Sequence, residues 1–547
     1  MGYIKNAGKF LFGILLIVYA AYALLFIYKN MVVFDGKPYF GLFDDSMISM
    51  TYARNLAQGN GLVWNAGGER VEGISNPLWT VYMAFYHLFP IPVNLTSLPI
   101  QLSGAVFLIL NLIFVKKIVD AYTGGSTVPA LAAVLLTAFY YPINNWSLLG
   151  TEVGILTLVT TLTAWMMLNS LKSQKFSPAI YLILGTASLV RMDMLLLGVV
   201  TWGFLLLADS KNRRKNLLWG LVILGGFSLA QTLLRLWYYG DVLPNTYYLK
   251  MANGILSLRL ERGLYVFIKF VMNFNMVLFL VPLLFLIFRR DKLTWYLFVI
   301  FGVYVAYSIY VGGDAWEHRG GSNRFFTIVM PVYFILFALS IDSIRQAILE
   351  KINSVKPVPH PRLRLAVSHG GMVFFILLSL FYFNSLIDFH SWDYVLLRKP
   401  SDLNGLQKAL VLSNFIQKIT TPDATILVIG AGGIPYFSER YSYDLLGKSD
   451  RVIAHEPVRP PDGVSLLNWR PGHNKWDYNR SILEQKPDVI PELWWQVPWD
   501  QTLKYLGDYS RIQIETLKDY LPDGVLWVRK GSPNIRWELI QQDIVPG

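Results

Sequence analysis

The chain has 547 residues, of which 54% are hydrophobic and only 15% charged, with a formal net charge of +12 and no cysteine. Soluble domains carry about 25% charged residues, so a purely soluble enzyme is excluded and a polytopic membrane protein is expected. The absence of cysteine excludes disulfides, thiolate metal sites and cysteine nucleophiles, and the basic balance reads as loops that fix topology rather than as a nucleic-acid surface.

The first apolar run continues past Ala21-Tyr22-Ala23, a cleavage-like site, through Leu24, Leu25 and Phe26. It reads as an uncleaved first span. Further apolar segments lie at 98–115, 127–142, 151–169, 178–191, 193–208, 216–236, 264–288, 294–311, 325–341 and 367–385. With the first, at 10–28, they give about 11 transmembrane helices. The two that flank Arg191-Met192-Asp193 are short and read alternatively as one re-entrant unit. Segment 77–89 is too short to span and reads as an amphipathic helix in the outer interface.

Charge sets the orientation. With a cytoplasmic N-terminus, Lys116/Lys117, Lys172/Lys175, Lys211/Arg213/Arg214/Lys215 and Arg289/Arg290/Lys292 all fall inside, as the positive-inside rule requires. The acidic and polar clusters then fall outside, where nucleotide sugars and ATP are not available. The expected membrane domain is 1–385, with its first outer loop at 29–97. From 386 to 547 the apolar runs shorten to strand length, as at 425–429 and 525–528, and a soluble α/β domain is expected outside the cytoplasm. Its Gly430-Ala431-Gly432-Gly433 stretch lacks the rest of a dinucleotide fingerprint.

Asp44 and Asp45 open the first outer loop. An acidic pair at a membrane face is costly to keep without a use. One carboxylate can serve as general base while its neighbour orients it or helps to hold a cation; alternatively Asp45 caps the helix expected at 46–58 while Asp44 faces a cavity. In that helix Ile48, Tyr52 and Leu56 form one apolar face for the membrane interface. No cofactor is required by the sequence; if a divalent cation takes part, Asp44 and Asp45 are its candidate ligands. Glu72 and Asn76 are candidates for sugar hydroxyls or for loop–loop bonding. Glu152 opens a span at its outer end, where the helix dipole favours it. Arg191 and Asp193 either pair or serve a ligand, the arginine being suited to a phosphate. Lys250, after Pro244-Asn245-Thr246, is a compact cation for a lipid phosphate. The last outer loop offers Asp314, His318, Arg319 and Arg324, the two arginines as a phosphate clamp.

The string DDSMISMTYARNLAQGNGLVWNAGGERVEGISNPLW resembles the first outer loop of GT-C-type glycosyltransferases that use polyprenyl-phosphate sugars. It is most similar to the branch of the bacterial terminal β-(1→2)-arabinofuranosyltransferases. LLGTE (148–152), RMD (191–193), YYGDVLPNTYYLK (238–250), VGGD (311–314) with NRFF, and DLLGKSDRVIAH (444–455) match in order. The resemblance implies a GT-C fold, juxtamembrane helices at 46–58 and 77–89, and an inverting transfer on the outer face of the plasma membrane with a first-loop aspartate as base. The expected donor is a sugar, arabinofuranose, on a polyprenyl monophosphate. The phosphate would lie against Arg191, Lys250, Arg319 or Arg324. Glu72, Asn76, Glu152, Asp193, Asn245, Asp314 and His318 are the candidate sugar and acceptor contacts, and the acceptor is a glycan or a secreted protein such as a pilin. The alternatives are a ligase or polymerase of the O-antigen type, using a diphosphate-linked oligosaccharide, and a membrane transporter.

Overall fold

The computed structural model describes residues 2–252, 254–317, 321–355, 361–385, 390–459 and 469–540. His318 and Arg319 lie outside the described residues. The chain forms two compact units, neither of them a single stretch of sequence.

The first unit comprises Met1–Lys29, Gln101–Ala230 and Leu260–Ser401. Among the described residues, seven helices are long and apolar enough to cross a membrane: Ala7–Lys29, Leu98–Thr123, Val153–Ser173, Arg213–Tyr239, Lys292–Tyr310, Met330–Ser354 and Val367–Asn384. Two bent helix pairs, Thr127–Ala138 with Tyr141–Leu148 and Leu256–Asn273 with Met276–Phe288, raise the count to nine. The shorter helices Ala179–Val190 and Met194–Ala208 complete the set of apolar segments read from the sequence. Leu218, Leu221, Val222 and Leu229 stay exposed on Arg213–Tyr239, an apolar stripe with no protein over it, as expected of a surface that faces lipid.

The two bends have identifiable causes. Between Ala138 and Tyr141, Asn384 Nδ2 donates to the Phe139 carbonyl (3.0 Å) and its Oδ1 accepts from Tyr141 N (2.9 Å). Asn144 Nδ2 donates to the Ala138 carbonyl at 2.8 Å. Backbone groups freed by a break at membrane depth need such partners. The second pair bends by 103° at Asn275, whose φ is 74°. Its side chain accepts from Val277 N and Leu278 N and so restarts the helix. Aromatic packing fills the space between these elements: Phe274 stacks on Phe383 with centroids 4.1 Å apart, and Tyr333 meets Phe274 (5.4 Å) and Phe279 (5.7 Å).

The second unit comprises Asn30–Ile100, Gln231–Arg259 and Asp402–Gly547. It begins with a hairpin, β1 (Val32–Phe34) antiparallel to β2 (Lys37–Tyr39). Asp35 and Gly36 turn it with φ of 50° and 70°, the Asp-Gly chemistry that a two-residue hairpin turn requires. Helices Asp44–Ala57 and Pro77–His87 follow and pack on each other. Five strands form a mixed sheet: β3 (Thr425–Val428), β4 (Tyr441–Asp444), β5 (Val489–Ile490), β6 (Tyr509–Gln513) and β7 (Val525–Arg529), in the order β4-β3-β5-β7-β6. β3 is parallel to β4 and β5, whereas β7 is antiparallel to β5 and β6. The strand runs expected at 425–429 and 525–528 are thus β3 and β7. Leu427, Leu446, Tyr478, Ile490 and Trp494 lie in the core. The helix Leu403–Ile419 buries Leu406, Leu410, Ser413 and Ile416, spaced by three or four residues, and packs on the short helix Gly433–Ser438.

Two expectations are corrected. Ile48 and Tyr52 are buried in protein rather than laid on a membrane interface. Tyr52 Oη donates to the Val71 carbonyl (2.8 Å) and accepts from Gly73 N (3.0 Å), pinning the loop that follows. Asp45 is not a helix cap either. Phe43 holds that position, and its carbonyl accepts from Ser46 N and Met47 N. Asp44 and Asp45 both sit in the first turn, where the positive end of the helix favours carboxylates. On Pro77–His87, Val81 and Phe85 remain exposed while Trp79 and Met83 are buried, in keeping with the amphipathic helix read from the sequence.

Candidate active site

In the second unit the acidic pair is met by the turn between β3 and the next helix. Asp44 Oδ1 accepts from Gly433 N at 2.9 Å. A Cβ on Gly432 would overlap the Asp44 carbonyl oxygen and stand 2.7 Å from Oδ1, so only glycine allows this approach. The GAGG stretch therefore clasps a carboxylate of its own chain. Enclosure raises the Asp44 pKa above the usual carboxylate value; Lys448 and the Gly433 bond act in the opposite direction without cancelling it.

Asp45 faces a cation. Lys448 Nζ lies 3.7 Å from Asp45 Oδ1. Lys448 is held there by the folding of the stretch 444–455. Asp444 accepts from Leu446 N (3.1 Å) and Ser449 N (2.7 Å), and Asp450 caps the helix Arg451–His455 through Ile453 N (3.0 Å). Burial pushes the Asp444 carboxyl up to about 6. Asn245 Nδ2 donates to the carbonyls of Gly447 (2.9 Å) and Lys448 (2.8 Å). Asn245 thus fixes a loop of its own chain. Lys250 ends the short helix Asn245–Lys250, and its stem packs on Gly472, whose φ is 80°. Next in sequence is His473. Desolvation, with Lys448 and Lys250 adding to it, pushes this imidazole down to about 3, so it is neutral at ordinary pH. Lys475, buried, donates to the carbonyls of Tyr248 (2.9 Å), Ala252 (3.1 Å) and Ala454 (2.8 Å) and ties these segments together.

The other first-loop candidates are engaged internally. Glu72 pairs with Arg235, both buried. Asn76 accepts from Ser49 Oγ at 2.9 Å. These are the loop-bonding roles left open by the sequence.

In the first unit a second polar cluster forms. Arg191 donates from Nε to Asp193 Oδ1 (2.7 Å) and from Nη1 to Glu152 Oε1 (3.1 Å). Its Nη2 is buried without a hydrogen-bond acceptor among the described residues. Its guanidinium lies over Phe325, 5.9 Å from the centroid. Arg324 binds both oxygens of Asp314, at 2.8 and 3.0 Å. Arg262, fully buried, donates to the carbonyls of Gly312 and Asp314. Of the arginines expected to face a phosphate, Arg191 and Arg324 are thus already matched by carboxylates.

Lys448, Arg235 and His473 were not singled out in the sequence, and the glycine turn was read there only as an incomplete dinucleotide fingerprint. Arg235 carried a signal, a lone charge after the long apolar run of its helix. Lys448 sits in a quoted motif but had no pattern that assigned it to Asp45. Among the described residues no group of three or more Asp, Glu or His side chains is arranged to hold a metal ion. Chemically, the second unit offers a carboxylate of raised basicity, a second carboxylate balanced by a lysine, a neutral imidazole and a further lysine.

Residues 81–234 match the family model described as dolichyl-phosphate-mannose-protein mannosyltransferase, and residues 402–533 match a domain of unknown function, DUF8728. The terminal β-(1→2)-arabinofuranosyltransferase of Mycobacterium tuberculosis is 30% identical over 225 residues, which span 39% of this chain and 35% of the relative's own length. The crystal structure of ArnT from Cupriavidus metallidurans bound to undecaprenyl phosphate superposes with a TM-score of 0.53 at 12% identity, over 94% of this chain and 98% of that one. The resemblance drawn from the first-loop string is borne out in both sequence and architecture. The chain is a polytopic membrane protein of the GT-C fold.

Proposed function

We propose that the chain is an inverting glycosyltransferase that moves a sugar from a polyprenyl monophosphate to an acceptor hydroxyl outside the cytoplasm. Asp44, fixed in the first helical turn by Gly433 and given a raised pKa by its enclosure, is the observation that carries this reading. Asp44 accepts the proton of the acceptor hydroxyl as that oxygen bonds to the anomeric carbon. The bond from this carbon to the phosphate oxygen breaks, and the polyprenyl phosphate leaves with the electron pair. Lys250 meets the charge of the leaving phosphate, and preorganised cations of this kind lower the barrier where charge develops. Asp45, balanced by Lys448, orients the acceptor. The proposed sugar is arabinofuranose, supported by the likeness to the mycobacterial terminal β-(1→2)-arabinofuranosyltransferase. A polyprenyl-phosphate donor is supported by the undecaprenyl phosphate bound to ArnT. The acceptor is a glycan or a secreted protein such as a pilin. The basic inner loops support a cytoplasmic N-terminus and an outer-face site in a bacterial plasma membrane.

The test is Asp44→Asn, assayed for transfer from a synthetic polyprenyl-phosphoryl arabinofuranose. Asn keeps the oxygen that accepts from Gly433 but cannot take a proton. Transfer should fall by about 100-fold or more, since a general base contributes about 10²- to 10⁴-fold. The thermal midpoint should not fall, because the fold already disfavours a charge at this position. Near wild-type transfer by Asp44→Asn and by Asp45→Asn alike would exclude the proposed base.

A further inference from the structure

The second unit holds a cavity of about 690 Å³ that the reaction above does not use. Four indoles line it: Trp494, Trp495, Trp499 and Trp527. Tryptophan is highly buried on average. Here Trp495 is 57% and Trp499 53% exposed, whereas Trp494 and Trp527 are buried. The cavity thus has two fixed inner rings and two open outer ones. Its volume falls within the range of small-molecule sites, about 300–1,000 Å³. Charged groups join the rings. Arg511 lies in the wall, and so does Glu492, which pairs with Lys408. The buried Trp494 Nε1 has no hydrogen-bond acceptor among the described residues. Rigid aromatic faces beside hydrogen-bonding groups match a pyranose or furanose ring, whose C–H face stacks on an indole while its hydroxyls reach outward. They match an acyl chain poorly, because it would desolvate Arg511 and the Glu492–Lys408 pair without offering them a hydrogen bond.

The cavity is also connected to the acidic pair. Trp494 stacks on His473 with centroids 6.1 Å apart and meets Trp495 at 5.4 Å. His473 lies within electrostatic reach of Asp45, Lys448 and Lys250. Two ring contacts therefore lead from the proposed reaction centre to the open indoles, within one unit.

We infer that this tryptophan cavity is a saccharide-binding subsite, which holds a neutral oligosaccharide segment of the acceptor several sugar residues away from the hydroxyl that reacts. The choice of a saccharide rests on the glycosyl-transfer reading, but the experiment reads binding alone, so either can fail without the other. The full chain in detergent is titrated calorimetrically with neutral hexasaccharides of arabinofuranose, glucose and mannose, without donor. At least one should bind, and Trp495→Ala and Trp499→Ala should each weaken it about 10-fold, with Trp495→Phe restoring most of the affinity. Both rings are exposed, so their removal leaves the core intact. No binding by any hexasaccharide overturns the inference, as does equal binding by wild type and both alanine variants. In nanodiscs containing brominated lipid, a loss of quenching when both indoles are removed would place them in the bilayer and overturn it too.

Discussion

Asp44 and Gly433 are 389 positions apart in sequence, yet the carboxylate oxygen of one accepts the backbone N–H of the other at 2.9 Å. The position of the proposed base is thus set by the C-terminal part of the chain. A mannosyltransferase-type match at 81–234 and a match of unknown function at 402–533 leave the first loop to be completed by a segment with no assigned activity.

Gly432→Ala tests that dependence. Its Cβ would overlap the Asp44 carbonyl, so the turn or the helix start must move. A misplacement of about 1 Å at a reacting group can cost 100-fold. Transfer should fall by that order while donor binding persists. Unchanged transfer would show that the clasp on Asp44 is dispensable.

The pH profile has a defined sign. Asp44 works as a base only when ionised, and its pKa is raised chiefly by desolvation. The acid limb of kcat/KM should therefore lie above the ordinary aspartate value of about 3.9. Lys448 lowers the Asp44 pKa, so Lys448→Met should move the limb to still higher pH. A limb that stays in place would uncouple Lys448 from the base. His473, neutral above about 3, should contribute no limb between pH 5 and 8.

Glu72 and Arg235 form a buried pair. Glu72→Gln strands the arginine, and breaking one side of such a pair costs about 3–5 kcal/mol. Thermal unfolding in detergent should register a large loss. The double substitution Glu72→Met with Arg235→Met should recover much of it, since apolar replacement of both partners is often neutral. A single variant as stable as wild type would assign the pair no structural weight.

Lys250→Ala should weaken polyprenyl-phosphate binding about 10- to 100-fold, the range for losing one charge-assisted contact. Arg191→Ala should act differently. It leaves Glu152 and Asp193 buried without their cation, so its effect should appear as lost stability. Unchanged lipid-phosphate affinity in Lys250→Ala would remove this lysine from the donor site.

The apolar spans and the two helices of the first loop were legible because periodicity and length are local properties. The face of Tyr52 was misjudged because alternation along a helix says which residues are apolar, not whether lipid or protein covers them. The pairing of Arg191 with Asp193 was open in the sequence, but Glu152, its second partner, is 39 positions away, and the Asp314 that Arg324 binds is 10 away. The Gly430–Gly433 stretch could be read as a tight turn, but nothing local to it names Asp44 as the group it receives.

Lys475 draws together the carbonyls of Tyr248, Ala252 and Ala454. During synthesis these groups emerge in the order 248, 252, 454, with the lysine last. A ribosome-bound chain that has already exposed Asp44 and Asp45 must therefore wait for more than 400 further residues before the surroundings of its acidic pair can close. The partly made protein carries the two carboxylates but not the groups that surround and tune them.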